Sequence, residues 1–133
     1  MIKAIFLLKR KDGITHEQFR EHYEKSHAKL GQKYFGHLLI SYERNYVTQV
    51  RASRSQGLRP ASFDYDCITE WILRDEEALA AVYDVFKIPE IGKEFFDDEG
   101  RFLDRDAVTS IICTDDDVIN TGTGGGHGTI ERQ

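Results

Sequence analysis

The stretch that most constrains this chain is its first, Ile-Lys-Ala-Ile-Phe-Leu-Leu-Lys at residues 2–9. Strand alternation sends Ile5 and Leu7 to one face and Ala4, Phe6 and Leu8 to the other, so both faces are apolar. A strand of that kind has to be covered on both sides. The 133 residues suit one domain, and 40% apolar with 11% aromatic residues can supply one core. The need for cover on two sides therefore bears directly on oligomeric state.

The cover on one side starts with a helix read from Gly13 to Leu30. Thr15 followed by Gln18 is a capping box, and Ile14 before the cap can pack on Phe19 as a hydrophobic staple. Phe19, Tyr23, His27 and Leu30 recur at helical spacing and share one face, while Arg20, Glu21, Glu24, Lys25 and Lys29 fall on solvated positions. Gly31 is read as the stop. His27, beside the Tyr23 phenol, is the one imidazole on an otherwise apolar stripe. It must find a partner, because an unpaired buried polar group costs roughly 1–3 kcal/mol. Two readings stay open: a core histidine bonded to a carbonyl or carboxylate, or a proton-transfer group working near neutral pH. His16 and His22 are read as surface residues, His37 as opening a strand, and His127 as lying in the tail. No His, Cys, Asp and Glu spacing matches a zinc site, so no metal is expected.

Residues 38–49 read as a second strand with Leu38, Ile40, Tyr42, Arg44 and Tyr46 on one face and Ser41, Glu43 and Asn45 on the other. Two phenols and a guanidinium are too polar for an ordinary core and too aromatic for a solvated face, which fits a pocket wall. Periodicity vanishes over residues 50–62, a polar loop long enough to serve as a lid or to be a plain hairpin connection. Residues 63–73 form a third strand with Cys67, Thr69 and Trp71 on one face and Asp66, Ile68, Glu70 and Ile72 on the other. Glu70 sits between isoleucines, where burial would raise its carboxyl, and His27 on the packed helix is its expected partner. Asp75 caps a second helix with Ala78, Leu79, Val82 and Phe86 inward, broken at Ile88-Pro89. A short helical piece over 90–97 presents Ile91, Phe95 and Phe96, and the acidic run Asp97-Asp98-Glu99-Gly100 ends it. Residues 106–114 form the fourth strand.

The order β-α-β-β-α-β in one short chain is the ferredoxin-like split βαβ arrangement, an α+β fold with an antiparallel sheet. Helices on one side leave the other face bare, and that face is expected to carry Phe6, Leu8, Tyr42 and Trp71. Soluble monomers avoid exposing such a patch, so two sheets are expected to pack face to face as a homodimeric α+β barrel. The first strand then lies between the third and fourth, which sets Cys67 and Cys113 about 9–10 Å apart, two strand spacings and too far for a disulfide. Residues 1–119 are read as the domain, and 120–133, with its glycine-rich run, as a flexible tail without chemistry. The net charge of −5 argues against a nucleic-acid surface. With no membrane span or signal-peptide core and two cysteines, the expectation is a soluble cytoplasmic protein.

Three motifs also resemble a family. The run Leu-Lys-Arg-Lys-Asp-Gly-Ile-Thr-His-Glu-Gln-Phe (8–19) continuing to Tyr23, His27, Ala28, Lys29 and Leu30 resembles the EthD-type dimeric α+β barrels. So do the strand Asp64-Tyr65-Asp66-Cys67-Ile68-Thr69-Glu70-Trp71 and the turn Asp98-Glu99 with Phe102-Leu103-Asp104. Departures are Tyr23 for the usual Trp, Lys29 for Pro and Cys67 for Gly. The resemblance implies a hydrophobic cavity used without metal or organic cofactor.

The resulting expectation is a lyase or isomerase (dehydratase, cyclase or decarboxylase type) acting on a small cyclic or aromatic substrate, polyketide-derived compounds among the candidates. His27, Tyr42, Glu70 and Tyr23 would be the acid–base residues. Phe6, Leu8, Cys67, Trp71 and Phe95 would hold the ring, and Arg44 would bind a carboxylate or enolate. The alternatives are a cofactor-free monooxygenase of the same fold and a non-catalytic small-molecule-binding protein in which His27 and Glu70 are a structural pair.

Overall fold

The computed structural model describes residues 1–52, 59–60 and 62–124. Four antiparallel strands, β1 (Ile2–Leu8), β2 (Leu39–Tyr46), β5 (Cys67–Leu73) and β6 (Thr109–Cys113), form one sheet in the order β2-β5-β1-β6. Between β2 and β5 the chain makes a two-residue ladder of β3 (Arg51–Ala52) with β4 (Arg59–Pro60). The lid reading of this loop rests largely on residues outside those described. So do His127 and most of the tail; residues 120–124 carry no regular structure.

The helices are α1 (His16–His22), α2 (Ala28–Phe35), α3 (Glu76–Lys87) and α4 (Pro89–Glu99). None of the described helices is long and apolar enough to cross a membrane. The capping box forms in full: the Thr15 hydroxyl accepts from the Gln18 amide at 3.1 Å, and the Gln18 side chain accepts from the Thr15 amide at 2.8 Å. Asp75 likewise caps α3 by accepting from the Ala78 amide. Pro89 supplies the first turn of α4, where its missing N–H costs nothing. That helix runs two residues past the expected end, through Asp98 and Glu99, and Phe96 faces solvent.

Between α1 and α2 the helix widens into one π turn, Tyr23–His27, where the Ala28 amide donates to the Tyr23 carbonyl five residues back. The buried positions are therefore Phe19, Tyr23, Ala28, Gly31 and Phe35, with a five-residue step across the turn. Straight helical periodicity placed Leu30 on this stripe; the inserted residue turns it to the flank, half-buried. Gly31 does not stop the helix. A Cβ there would stand 3.1 Å from the Tyr42 ring and 3.2 Å from Phe35, so Gly31 lets sheet and helix approach closely.

The helices pack on the sheet face that carries Ile2, Ala4, Phe6, Leu8, Cys67, Thr69 and Trp71, through Phe19, Tyr23, Phe35, Val82 and Phe95. This reverses the expected assignment. Phe6, Leu8, Tyr42 and Trp71 lie under the helices, and the uncovered face carries Lys3, Ile5, Leu7, Ile68, Glu70, Ile72 and Ile111. Because β1 is apolar on both sides, alternation alone does not say which side the helices take. In β2 the pairing register shifts between Leu39 and Ser41, which leaves Ile40 outside the expected inward row at 52% exposure.

The two cysteines are free. Cys67 pairs with Leu8 at one end of β1 and Cys113 with Lys3 at the other, so their separation exceeds the two strand spacings expected. His37 precedes β2 in a short 3-10 turn. His16 and His22 are not surface residues: each is half-buried and hydrogen-bonded to a carboxylate, Asp66 at 2.9 Å and Asp98 at 3.0 Å.

Candidate functional site

Between the sheet and the helices lies a cavity of about 240 Å³. Its walls draw on both halves of the core: Phe35, Trp71 and Phe95 from one, Leu8, Tyr23 and Leu103 from the other. Phe6 and Trp71 pack ring against ring at 4.5 Å, and Phe35 stacks on Phe95 at 5.7 Å, which fixes the apolar walls. Into this enclosure the fold places His27, Tyr23, Tyr42, Thr69, Ser110 and Glu99.

The π turn and the end of α4 build the polar side of the site. Asp98, with 2% of its side chain exposed, takes His27 Nδ1 on Oδ2 at 2.9 Å and His22 Nε2 on Oδ1 at 3.0 Å. The Ser26 hydroxyl donates to Oδ1 at 2.6 Å, and the Arg101 guanidinium stands 3.6 Å away. Burial alone would raise this carboxyl, but the hydrogen bonds from His27, Ser26 and His22 outweigh it and hold Asp98 well below the usual carboxylate range. An ionised carboxylate only accepts, so both imidazole nitrogens facing it carry protons. His27 is thereby held with Nδ1–H on Asp98. Its Nε2 has no hydrogen-bond partner among the described residues, and the residue lines the cavity. Phe102 packs against the His27 ring at 5.0 Å and the His22 ring at 4.9 Å, fixing their planes.

A second chain of polar groups runs along the sheet. The Tyr23 hydroxyl lies 2.7 Å from Thr69 Oγ1 and 3.1 Å from the Tyr42 hydroxyl. Thr69 can donate to Tyr23 and Tyr23 to Tyr42, which leaves the Tyr42 proton for a ligand oxygen. Burial pushes the Tyr42 phenol up to about 12 and raises Tyr23 well above its ordinary value, so both stay protonated donors across the neutral range. Trp71 Nε1 is the one buried side-chain nitrogen or oxygen without a partner among the described residues.

Of the residues singled out from sequence, Phe6, Leu8, Tyr23, His27, Tyr42, Trp71 and Phe95 meet in this cavity. Three do not. Glu70 is on the opposite face of the sheet, beside Lys3 and hydrogen-bonded by the Asn45 amide, so His27 pairs with Asp98 instead. Arg44 is held in a two-point ion pair by Glu24 from the π turn, at 2.9 and 2.7 Å, and sits over the Tyr42 ring away from the cavity wall. Cys67 is buried behind Thr69, its sulfur 3.6 Å from Oγ1, and does not reach the wall. Sequence reasoning gave no role to Asp98, Glu99, Thr69 or Ser110. The signal for the first two was the Asp98-Glu99…Phe102 motif, read as a turn. No cluster of three or more metal-ligating side chains occurs among the described residues.

The EthD domain matches residues 11–106, a span that takes in the capped helix, the π turn and the Asp98–Glu99 pair. No curated protein sequence matches the chain. Among solved structures it is similar to an EthD family protein from Bacillus halodurans, with 21% identity and a TM-score of 0.54, covering 86% of this chain and 99% of that one. HapK from Hahella chejuensis is 10% identical with a TM-score of 0.59, covering 95% and 100%. A dimeric ferredoxin-like protein from Thermobifida fusca is 18% identical with a TM-score of 0.52, covering 84% and 88%. At such identities these structures speak to the fold, which is α+β and ferredoxin-like. The domain match covers most of the sequence, and the chain belongs to the EthD family.

Proposed function

We propose that the cavity performs general acid–base chemistry on a small cyclic or aromatic carbonyl compound without a metal or organic cofactor, as a lyase or isomerase. The observation that carries this reading is His27, a residue of a greasy cavity wall, fixed through Nδ1 on a buried carboxylate with Nε2 left unbonded. A base so held takes a proton from carbon next to a carbonyl, the carbonyl oxygen gathers negative charge, and the Tyr42 phenol donates to it. Return of the proton to a different atom isomerises the substrate; loss of a leaving group makes the enzyme a lyase. Positioned proton transfer of this kind contributes roughly 10²–10⁴-fold in rate. Phe6, Leu8, Trp71 and Phe95 hold the ring, and Thr69 and Tyr23 orient the phenol. In this reading the working unit is a homodimer whose uncovered sheet faces, rich in isoleucine, pack on one another.

The test needs no knowledge of the natural substrate. In deuterated buffer under nitrogen, wild-type protein should speed exchange of the acidic C–H protons of 2-tetralone, a neutral two-ring ketone, above the buffer rate, read by proton NMR. His27→Ala should lower that rate at least tenfold, about 1.4 kcal/mol of barrier, with the fold intact. Exchange that survives His27→Ala unchanged would remove His27 as the base. Oxygen uptake with a quinol, without ketone exchange, would move the site to oxygenation.

A further inference from the structure

The sequence places one guanidinium, Arg44, where a cavity could use it for a carboxylate, and the structure takes it away. Among the described residues lining the cavity there is no lysine or arginine. Arg44 is committed to Glu24, Arg101 approaches Asp98, and Arg105 donates to the Phe96 carbonyl while lying over the Phe96 ring. What the wall does carry is a carboxyl, Glu99, one turn beyond Phe95 on α4, with no hydrogen-bond partner among the described residues. The ionisable groups around it are His27 from the π turn, Arg105 from the segment after α4 and Asp98 on its own helix. From the sheet the wall adds only uncharged hydroxyls, those of Tyr42, Thr69 and Ser110.

We infer that Glu99 is the cavity's charge filter: its carboxylate turns away anions and restricts the site to uncharged, carbonyl-bearing compounds of one or two rings. An anionic ligand would bring a second negative charge into an apolar enclosure whose described lining holds no lysine or arginine to meet it, and like charges at close range in low dielectric are strongly unfavourable. A cationic ligand would give up its hydration in an otherwise apolar enclosure for a single carboxylate. A neutral ketone avoids both and still finds a donor, the Tyr42 hydroxyl. The volume, about 240 Å³, is below the range of about 300–1,000 Å³ that drug-sized ligands occupy, which limits the ring count. Burial raises the Glu99 carboxyl from its ordinary value, so the filter weakens as pH falls. The inference rests on the cavity being the ligand site, not on its catalysing a reaction.

Trp71 is the chain's single tryptophan, so its indole N–H gives one NMR resonance on the cavity wall. Titration at pH 8 with 4-hydroxyacetophenone, a neutral ketone, should move that resonance. The carboxylate of matched shape, 4-hydroxybenzoate, should bind at least tenfold more weakly. Glu99→Gln should recover most of that tenfold by strengthening the carboxylate while leaving the ketone within twofold. Equal affinity of the two probes for wild type, or a gap that Glu99→Gln leaves intact, would overturn the filter alone. Tighter binding of 4-hydroxybenzylamine than of the ketone would overturn it in favour of amines. If neither ring probe perturbs Trp71, the cavity reading falls together with the filter.

Discussion

The two faces of the sheet divide the labour in a way their composition alone does not announce. The face under the helices carries the hydroxyls of Thr69, Tyr42 and Ser110 among its aromatics, and it is the buried one. The uncovered face mixes Ile5, Leu7, Ile68, Ile72 and Ile111 with Lys3, Ser41, Glu43, Asn45, Glu70 and Thr109. Buried hydroxyls are tolerable only when bonded, and the Thr69–Tyr23–Tyr42 chain meets that condition. Isoleucines on an open face are tolerable only if something apolar covers them. One face therefore lines the proposed site, and the other fits the sheet of the proposed partner copy.

The sharpest way to break this division is to charge the open face. Ile72→Asp would bury an unpaired carboxylate between two sheets, which costs several kcal/mol per ion. In the proposed homodimer it should weaken self-association at least a hundredfold by analytical ultracentrifugation, while 4-hydroxyacetophenone still moves the Trp71 resonance. A wild-type chain that sediments as a monomer at micromolar concentration would remove the dimer from the account.

On the covered face the largest loss should come from Asp98→Asn. Removing one partner of a buried ionic cluster costs about 3 kcal/mol or more, which lowers the melting temperature by on the order of 10 °C for a domain this size. The pH dependence has a definite sign. Asp98 is held below its ordinary value of 3.8 in the folded chain, so its stabilisation is fully present above that pH and is lost as pH falls below it. The gap between wild-type and Asp98→Asn melting temperatures should therefore be widest near neutrality and narrow under acid. A gap constant down to about pH 2 would contradict the ion-pair account.

The smallest effect is expected where the sequence suggested a catalytic acid. Glu70 is partly exposed, 3.7 Å from the Lys3 ammonium on the uncovered face, and surface pairs of this kind contribute about 0–1 kcal/mol. Glu70→Gln should leave both ketone exchange and ketone binding unchanged within experimental error. A tenfold loss of exchange would restore Glu70 to the site and reverse the assignment of the faces.

What could be read from sequence was what is decided locally. The capping box at Thr15 and Gln18, the Asp75 cap and the Ile88-Pro89 break each depend on a few consecutive residues, and the order of strands and helices follows from them. The π turn was not legible: its extra residue sets His22, Ser26 and His27 around a carboxylate more than seventy positions away. Straight periodicity keeps His27 on the inward stripe but does not name its partner, and it offers the strand carboxyl of Glu70 in place of Asp98. Alternation grouped Ile68, Glu70 and Ile72 correctly on one side of β5. The side the helices choose depends on tertiary packing, and hydrophobicity pointed to the isoleucines. Arg44 failed for a related reason, since nothing local shows that Glu24 reaches across from the helix to take it.

The central claim is that Asp98 holds His27 by Nδ1 and leaves Nε2 to the cavity, and nitrogen NMR of protein labelled in its histidine rings reads that directly. At a pH where His27 is neutral, the proton should be on Nδ1 and Nε2 should be bare, and Asp98→Asn should abolish that preference. A neutral His27 carrying its proton on Nε2 in the wild-type protein would mean that the nitrogen facing the cavity cannot accept one, and the base assignment would be lost.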